Sequence, residues 1–397
     1  MKKYIKSYLL FIIIAVFVIT GMFSADFVRL IAGSPVKILR GESTVSEQIQ
    51  TVNGQLGGHL TYRNNLIDLY SLVLRLNDTK IVEKSDTVVA LSDTDMLCTE
   101  VDEIEEDYID SISQDILRLQ ETALDNDAEF LYVYAPDKEY WSILPEEVNN
   151  YSVQNHDALM RSCNQLGIQT FDLAQEMTKE TATPEEWYYV TDHHWKAETG
   201  FWAHGQLCER LNEQYGFSYD KSLTDINQYE NRLYEDWFLG SSGKKVGRFF
   251  TPRGVDDLDL IVPKFSTDLF VSIPPKNETR KGTFEETMLE FSQIEKKGYY
   301  SYNPYDVYGF NVREKIIYND QAVNDDTILM ICDSYALSVY PFLALNTKEL
   351  HIVDVRDYEW YEGEKINLQE YIPQIHPDYV ILFYKGVRSM DGSYNFF

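Results

Sequence analysis

TILMICDSYALSVYPFLA, residues 327–344, holds a strand pattern and a helix pattern separated by one polar step, Asp333-Ser334. TILMIC is an almost unbroken apolar run, as in a strand buried on both faces of a sheet. ALSVYPFLALN behind it reads as a helix. A hydroxyl at such a switch stands at the carboxyl end of a strand, where α/β sheets carry ligand groups. Ser334 is therefore the candidate nucleophile.

A nucleophilic serine needs a base, and YYVTDHHWKAETGFWAH, residues 188–204, offers one. Apolar residues at Phe201, Ala203, Leu207 and Leu211 mark the adjoining segment as a helix. Asp192 and His194, as alternate residues of an extended loop, point to the same side. The carboxylate can then hold the imidazole in one tautomer while the other ring nitrogen faces Ser334. His193, the acid's immediate neighbour, is awkwardly placed for that bond and is expected to turn to a structural partner. Trp195 reads as core packing, and Asp333 as the structural partner of its own turn. Asp192, His193 and His194 would also offer metal ligands. No further His or Cys sits nearby at ligand spacing, so neither a metal nor a cofactor is expected. The plainer alternatives are Ser334 as a helix cap and His194 as a hydrogen-bonded core histidine.

Around these stretches lies a chain of 397 residues, room for one large α/β domain with insertions. Its formal net charge is −29, from 64 acidic against 35 basic residues, a balance that repels nucleic acid and anionic membrane surfaces. Tyrosine is frequent, at 29 residues, and exposed rings of that kind would suit sugar stacking. Cys98, Cys163, Cys208 and Cys332 show no metal spacing. They allow up to two disulfides or four free thiols.

Lys2, Lys3 and Lys6 precede an uncharged run from Ser7 to Ala25 containing LLFIIIAVFVIT. This reads as a cytoplasmic tip and transmembrane signal anchor over residues 1–26, with the rest of the chain outside the cell. A cleaved signal peptide is the other reading, since Ser24 and Ala25 are small. A stalk over 27–60 then leads to a domain over 61–397. Helix and strand patterns alternate through that domain, which predicts a mainly parallel sheet with helices on both faces. Residues 221–320 interrupt the alternation with short strands and aromatic loops, and read as an irregular β insertion decorating the site.

PDK at 136–138, TDHHW at 191–195, GSSGKKVG at 240–247 and DSYALSVYPFLA followed by HIVDVRDY give the chain a family likeness. From about residue 61 to its end it resembles the DHHW protein family of Gram-positive bacteria. More distantly it is similar to the SGNH-hydrolase-like proteins that O-acetylate alginate. In those proteins a D-x-H-W segment supplies acid and base, and a later GDS-type serine is the nucleophile. Carried over, these are Asp192, His194 and Ser334. The order Asp, His, Ser reverses that of ordinary SGNH hydrolases, so the resemblance implies a circularly permuted SGNH-like α/β sheet. The chain departs from the pattern at Cys332, which stands where GDS has glycine, and it lacks a GxND-type block to supply oxyanion donors. The Ser334 N–H, Lys138, Lys385, Tyr335 and His193 are the remaining oxyanion or substrate-binding candidates.

The resemblance implies a membrane-anchored extracellular O-acyltransferase acting through Ser334, His194 and Asp192. It would pass an acyl group, most simply acetyl, to a hydroxyl of a cell-surface or secreted polysaccharide. Acetyl-CoA is cytoplasmic, so the resemblance also implies a multispanning membrane O-acyltransferase as the donor partner. A carbohydrate O-acetyl esterase fits the same residues, with water in place of the sugar. A catalytically inactive polysaccharide-binding or assembly protein is the reading from a different class.

Overall fold

The computed structural model describes residues 63–83, 86–309, 312–356, 364–387 and 394–397, together with Lys37 and Arg40. The expected anchor, residues 1–26, lies outside the described residues, as does nearly all of the expected stalk. No described helix is long and apolar enough to cross a membrane. The chain divides into two units, Met1–Asn77 and Asp78–Phe397. In the first, TYRNNLIDLYSLVLRL yields helix α1 (Arg63–Leu76).

The second unit opens with three short strands, β1 (Ile81–Val82), β2 (Val88–Ala90) and β3 (Leu97–Thr99), paired antiparallel in a sheet of their own. Then come β4 (Glu129–Ala135), β5 (Thr170–Asp172), and an antiparallel pair, β6 (Tyr229–Phe238) with β7 (Asp256–Pro263). The remaining strands are β8 (Leu269–Ile273), β9 (Glu278–Gly282), β10 (Glu314–Asn319), β11 (Thr327–Cys332), β12 (Glu349–Val353) and β13 (Tyr379–Lys385). Eight of them form the central sheet, in the order β5-β4-β13-β11-β12-β10-β8-β9. Pairing from β5 through β12 is parallel, and from β12 outward to β9 it is antiparallel.

Strand β11 is apolar throughout because both faces of the sheet are covered. Ile328, Met330 and Cys332 enter one core, and Leu329 and Ile331 enter the other. Strand β13 alternates in the same way, with Ile381 and Phe383 on one side and Val380, Leu382 and Tyr384 on the opposite side. Helices α2 (Glu106–Leu124), α3 (Ser152–Gln165) and the C-terminal helix Leu368–Ile375 fill the second face, through Ile112, Ile116, Leu159 and Ile372. Helix α4 (Ala197–Tyr215) fills the first, through the Phe201, Ala203, Leu207 and Leu211 stripe. It ends at Gly216, whose φ of 81° makes the left-handed C-cap that glycine adopts without strain.

Three expectations from the sequence change in the structure. The helix expected after Ser334 is a 3₁₀ turn, Ser334–Ser338, followed by a separate α-turn, Tyr340–Leu343. Pro341 has no N–H to donate, so it is tolerated in the first turn of the second piece but not inside one continuous helix. Within 221–320, strands β8, β9 and β10 extend the central sheet, so that segment is built into the fold and does not merely decorate it. Many of the tyrosines serve the interior: Tyr132, Tyr188, Tyr189, Tyr305, Tyr308, Tyr335 and Tyr340 are fully buried, which removes these seven as sugar-stacking surface rings. The four cysteines are buried free thiols.

Candidate active site

The DHHW loop is a closed hairpin. Tyr188 and Trp195 form an antiparallel bridge, and the Tyr189 N–H donates to the His194 carbonyl at 3.2 Å. Two buried charges grip the loop from outside. The Lys138 ammonium donates to the carbonyls of Tyr189 (3.3 Å), Val190 (3.2 Å) and Asp192 (2.5 Å). The Asp256 carboxylate accepts the N–H groups of Val190 and Thr191, each at 2.7 Å, and the Thr191 hydroxyl at 2.6 Å. Burial pushes the Asp256 carboxyl up, and these three donors oppose that.

At the loop's tip, Asp192 Oδ1 meets His194 Nδ1 at 2.5 Å and also accepts the His194 N–H at 3.0 Å. Asp192 Oδ2 accepts the Ser241 N–H at 2.6 Å, at the start of the short helix Ser241–Val246. That approach depends on Gly240: a Cβ there would lie 2.3 Å from the Asp192 Cβ. Burial alone would raise the Asp192 carboxyl. His193, His194 and the Ser241 N–H outweigh burial and hold it well below the usual carboxylate range.

His194 Nε2 faces Ser334 Oγ at 2.8 Å. Of the residues singled out in the sequence, the structure thus brings Asp192, His194 and Ser334 into one hydrogen-bonded chain. Ser334 is partly exposed, whereas Asp192 and His194 are 2% and 5% exposed, so only the serine end of the chain opens outward.

Asp333 caps the turn that carries the serine. Its Oδ1 accepts the Tyr335 N–H at 2.8 Å and its Oδ2 accepts the Lys385 N–H at 3.1 Å, tying the end of β11 to that of β13. Helix α4 presses on the same turn at Gly200, where a Cβ would come within 2.0 Å of Ser338 Oγ. The Trp195 indole N–H completes the contact, donating to the Tyr335 carbonyl (3.0 Å) and to Ser338 Oγ (3.1 Å).

The other candidates fall into different places. Lys138 lies fully buried behind the DHHW loop, where its ammonium serves three carbonyls, so the structure gives it a scaffolding position and not one in a cleft. Tyr335 is also buried, its N–H on Asp333 and its hydroxyl on the His193 carbonyl at 2.5 Å, so it presents no oxyanion donor. Lys385 and His193 do border an open cleft. His193 Nδ1 bonds with Ser241 Oγ at 2.8 Å, and its ring lies 3.8 Å from that of His194. Asp192, His193 and His194 could also meet at one metal ion, their ligand atoms lying within 4.8 Å of one another. Both oxygens of Asp192 and both ring nitrogens of His194 already have partners, however.

Sequence reasoning missed the roof of the site. Tyr305, in the 3₁₀ turn Pro304–Tyr308, stacks on His194 at 3.9 Å with the rings 14° apart, and its hydroxyl donates to the Ser334 carbonyl at 3.2 Å. The imidazole is thereby sandwiched between His193 and Tyr305. Asp306 is next in the chain, with its carboxyl pushed up to about 6, mainly by burial. The run YYSYNPYDVYGF announces only an aromatic loop, and nothing local ties it to a histidine more than a hundred residues away.

A polar cleft of about 340 Å³ opens beside this chain, lined among others by His193, Ser241, Lys385, Thr99, Glu100 and Asp102. The site is thus a serine at the carboxyl end of a central strand of a mostly parallel sheet, with an acid–histidine loop set against it. Among solved structures, PatB1 of Bacillus cereus, with a sulfonyl adduct, matches at 18% identity and a TM-score of 0.63, over 80% of this chain and 98% of that one. A DHHW family protein of Eubacterium siraeum matches at 15% identity and a TM-score of 0.57, over 79% and 96%. The O-acetyltransferase domain of Pseudomonas putida AlgJ matches at 13% identity and a TM-score of 0.42, over 75% and 90%. The fold is therefore shared with a DHHW family protein and with PatB1. No family model and no curated protein matches the sequence.

Proposed function

We propose that the protein is a serine-dependent O-acyltransferase that moves an acetyl group onto a hydroxyl of a polysaccharide. The observation that carries the reading is the continuous chain Asp192 Oδ1–His194 Nδ1 (2.5 Å) and His194 Nε2–Ser334 Oγ (2.8 Å). In it His194 takes the Ser334 proton as Oγ attacks the acyl carbonyl, then returns that proton to the leaving oxygen of the donor. The acyl group is left on Oγ. In the second step His194 accepts a proton from the acceptor hydroxyl, the new ester bond forms, and the bond to Oγ breaks with the proton returned to it. Asp192, held anionic, orients the imidazole and stabilises its charged form. The Ser334 N–H, at the first position of its turn, is the candidate oxyanion donor.

The polar cleft supports a sugar acceptor, and the sulfonyl adduct on PatB1 is what a nucleophilic site of this fold would give. An outward-facing, anchored chain fed by a membrane acyl-donor partner belongs to the same proposal and rests on the sequence of residues 1–26. The test is incubation of the full chain with a chromogenic acetyl ester, with and without an oligosaccharide acceptor. Acceptor gaining the mass of an acetyl group is the expected result. Free acetate alone would make the protein an esterase, and no turnover of the ester would remove the enzyme reading.

A further inference from the structure

Two cavities flank Asp333, and Ser334 borders only the smaller of them. The polar cleft of about 340 Å³ lies on the β13 side, bordered by Tyr384, Lys385 and Gly386. On the β12 side is a second cavity of about 30 Å³, bordered by Ser334 itself, with Cys332, Leu337 and Ile352 as apolar wall and Lys315 and Asp354 also on its border. Asp333 and Arg356 border both. Arg356 is fixed there by Asp354, which accepts from its Nε at 2.9 Å and from its Nη2 at 2.6 Å.

The small cavity is where the sheet's first core reaches the nucleophile. Cys332 is 4% exposed, and Leu337 and Ile352 are each 8% exposed, so these core residues stop just short of the surface at the serine. A space of that size holds about one water-sized group. It therefore admits a methyl and excludes a longer alkyl tail. Cys332 contributes to this limit in a way the sequence foreshadows: it stands where the GDS pattern has glycine, and its side chain forms part of the wall.

We propose that this cavity is the acyl subsite, which seats the methyl of an acetyl group carried on Ser334 and rejects longer chains, with Cys332, Leu337 and Ile352 setting its depth. The proposal rests on the acyl-transfer reading and adds a division of labour, the acyl tail on the β12 side and the acceptor on the β13 side. The step it governs is acylation: the Oγ–acyl bond forms, the donor's ester bond breaks, and the proton passes through His194 to the leaving alcohol. A tail that cannot enter the cavity keeps the carbonyl carbon away from Oγ.

The experiment compares hydrolysis of 4-nitrophenyl acetate, propionate and butyrate by the full chain and by Ile352→Ala and Cys332→Ala. One methylene in a tight apolar pocket is worth roughly 10–200-fold in kcat/KM. The native chain is expected to lose at least about 10-fold per added methylene, and each variant to raise the butyrate-to-acetate ratio by about 10-fold. Circular dichroism confirms that each variant is folded, and two variants guard against the loss of one. Turnover of all three esters at similar rates, or an unchanged ratio in both folded variants, overturns the acyl subsite while leaving the acyl-transfer reading in place. Turnover of none of the esters removes that reading, and the subsite with it.

Discussion

Asp192 divides its two oxygens between the His194 ring and the Ser241 N–H, so the residue both orients the imidazole and is itself held still. Asp192→Asn keeps the shape but places an amide where Nδ1–H must be accepted, and is expected to lower kcat by about 10⁴ with little change in thermal stability. Steady-state hydrolysis of an acetyl ester measures this. His194→Ala is expected to remove turnover by several orders of magnitude, whereas His193→Ala, losing a bond to Ser241, keeps more of it. The reverse ranking in two folded variants would contradict the pairing of Asp192 with His194. Tyr305 is the fourth residue to change. Tyr305→Leu loses both the stacked ring and the bond to the Ser334 carbonyl and is expected to lower kcat by about 10²-fold, the scale of a small misplacement of reacting groups. Tyr305→Phe, which keeps the ring, should lose less. At this scale Asp192, His194 and Ser334 were legible because their signals are local: an Asp-x-His alternation, and a strand pattern broken at a serine. Tyr305 was not, because its contact joins segments far apart in the chain.

Between residue and fold stands the DHHW hairpin, clamped by Lys138 on its carbonyls and Asp256 on its N–H groups. Lys138→Met would take the ammonium from the Tyr189 and Asp192 carbonyls, while that of Val190 keeps the Leu97 N–H, at about 1–3 kcal/mol for each unsatisfied group. The expected outcome is a lowered Tm together with lost activity, seen by thermal melts and ester turnover on one preparation. Retained activity with a normal melt would show that the hairpin holds its shape unaided. The strands β4, β11 and β13 were legible as unbroken apolar runs, since burial on two faces leaves that mark. The β8–β10 extension was less so. Its strands are short, and which edge a short strand joins is decided by pairing that no local pattern encodes. The helix expected behind Ser334 broke into two turns at Val339, two residues ahead of Pro341, a stop signal present in the sequence and outweighed there by the apolar spacing.

For the molecule as a whole, pH acts through buried histidines as well as through the site. His156 joins α3 to the end of β5, with Nε2 2.8 Å from Asp172 and Nδ1 2.9 Å from Asp157. Burial by itself would lower the imidazole, but the two carboxylates outweigh it and raise it above its ordinary value. A histidine raised by folding contributes stability that is full below about pH 6.5 and is lost as pH rises through the folded value. His156→Gln should therefore melt well below the native protein at about pH 6 and closer to it at about pH 9. His204 works in the other direction. Burial lowers it to about 3, so the unfolded chain gains a proton first and stability falls as pH drops from about 6.5 toward that value. The net charge of −29 adds to the acid and salt sensitivity of the surface but says little about the site, whose own charges are fixed by close partners. The central claim is that Ser334, driven by His194, carries the acyl group. Its most direct test is peptide mass mapping of the full chain, quenched during turnover of 4-nitrophenyl acetate. The account predicts one acetyl group on Ser334, absent in His194→Ala; acetylation elsewhere, at a level unchanged by Ser334→Ala, would contradict it.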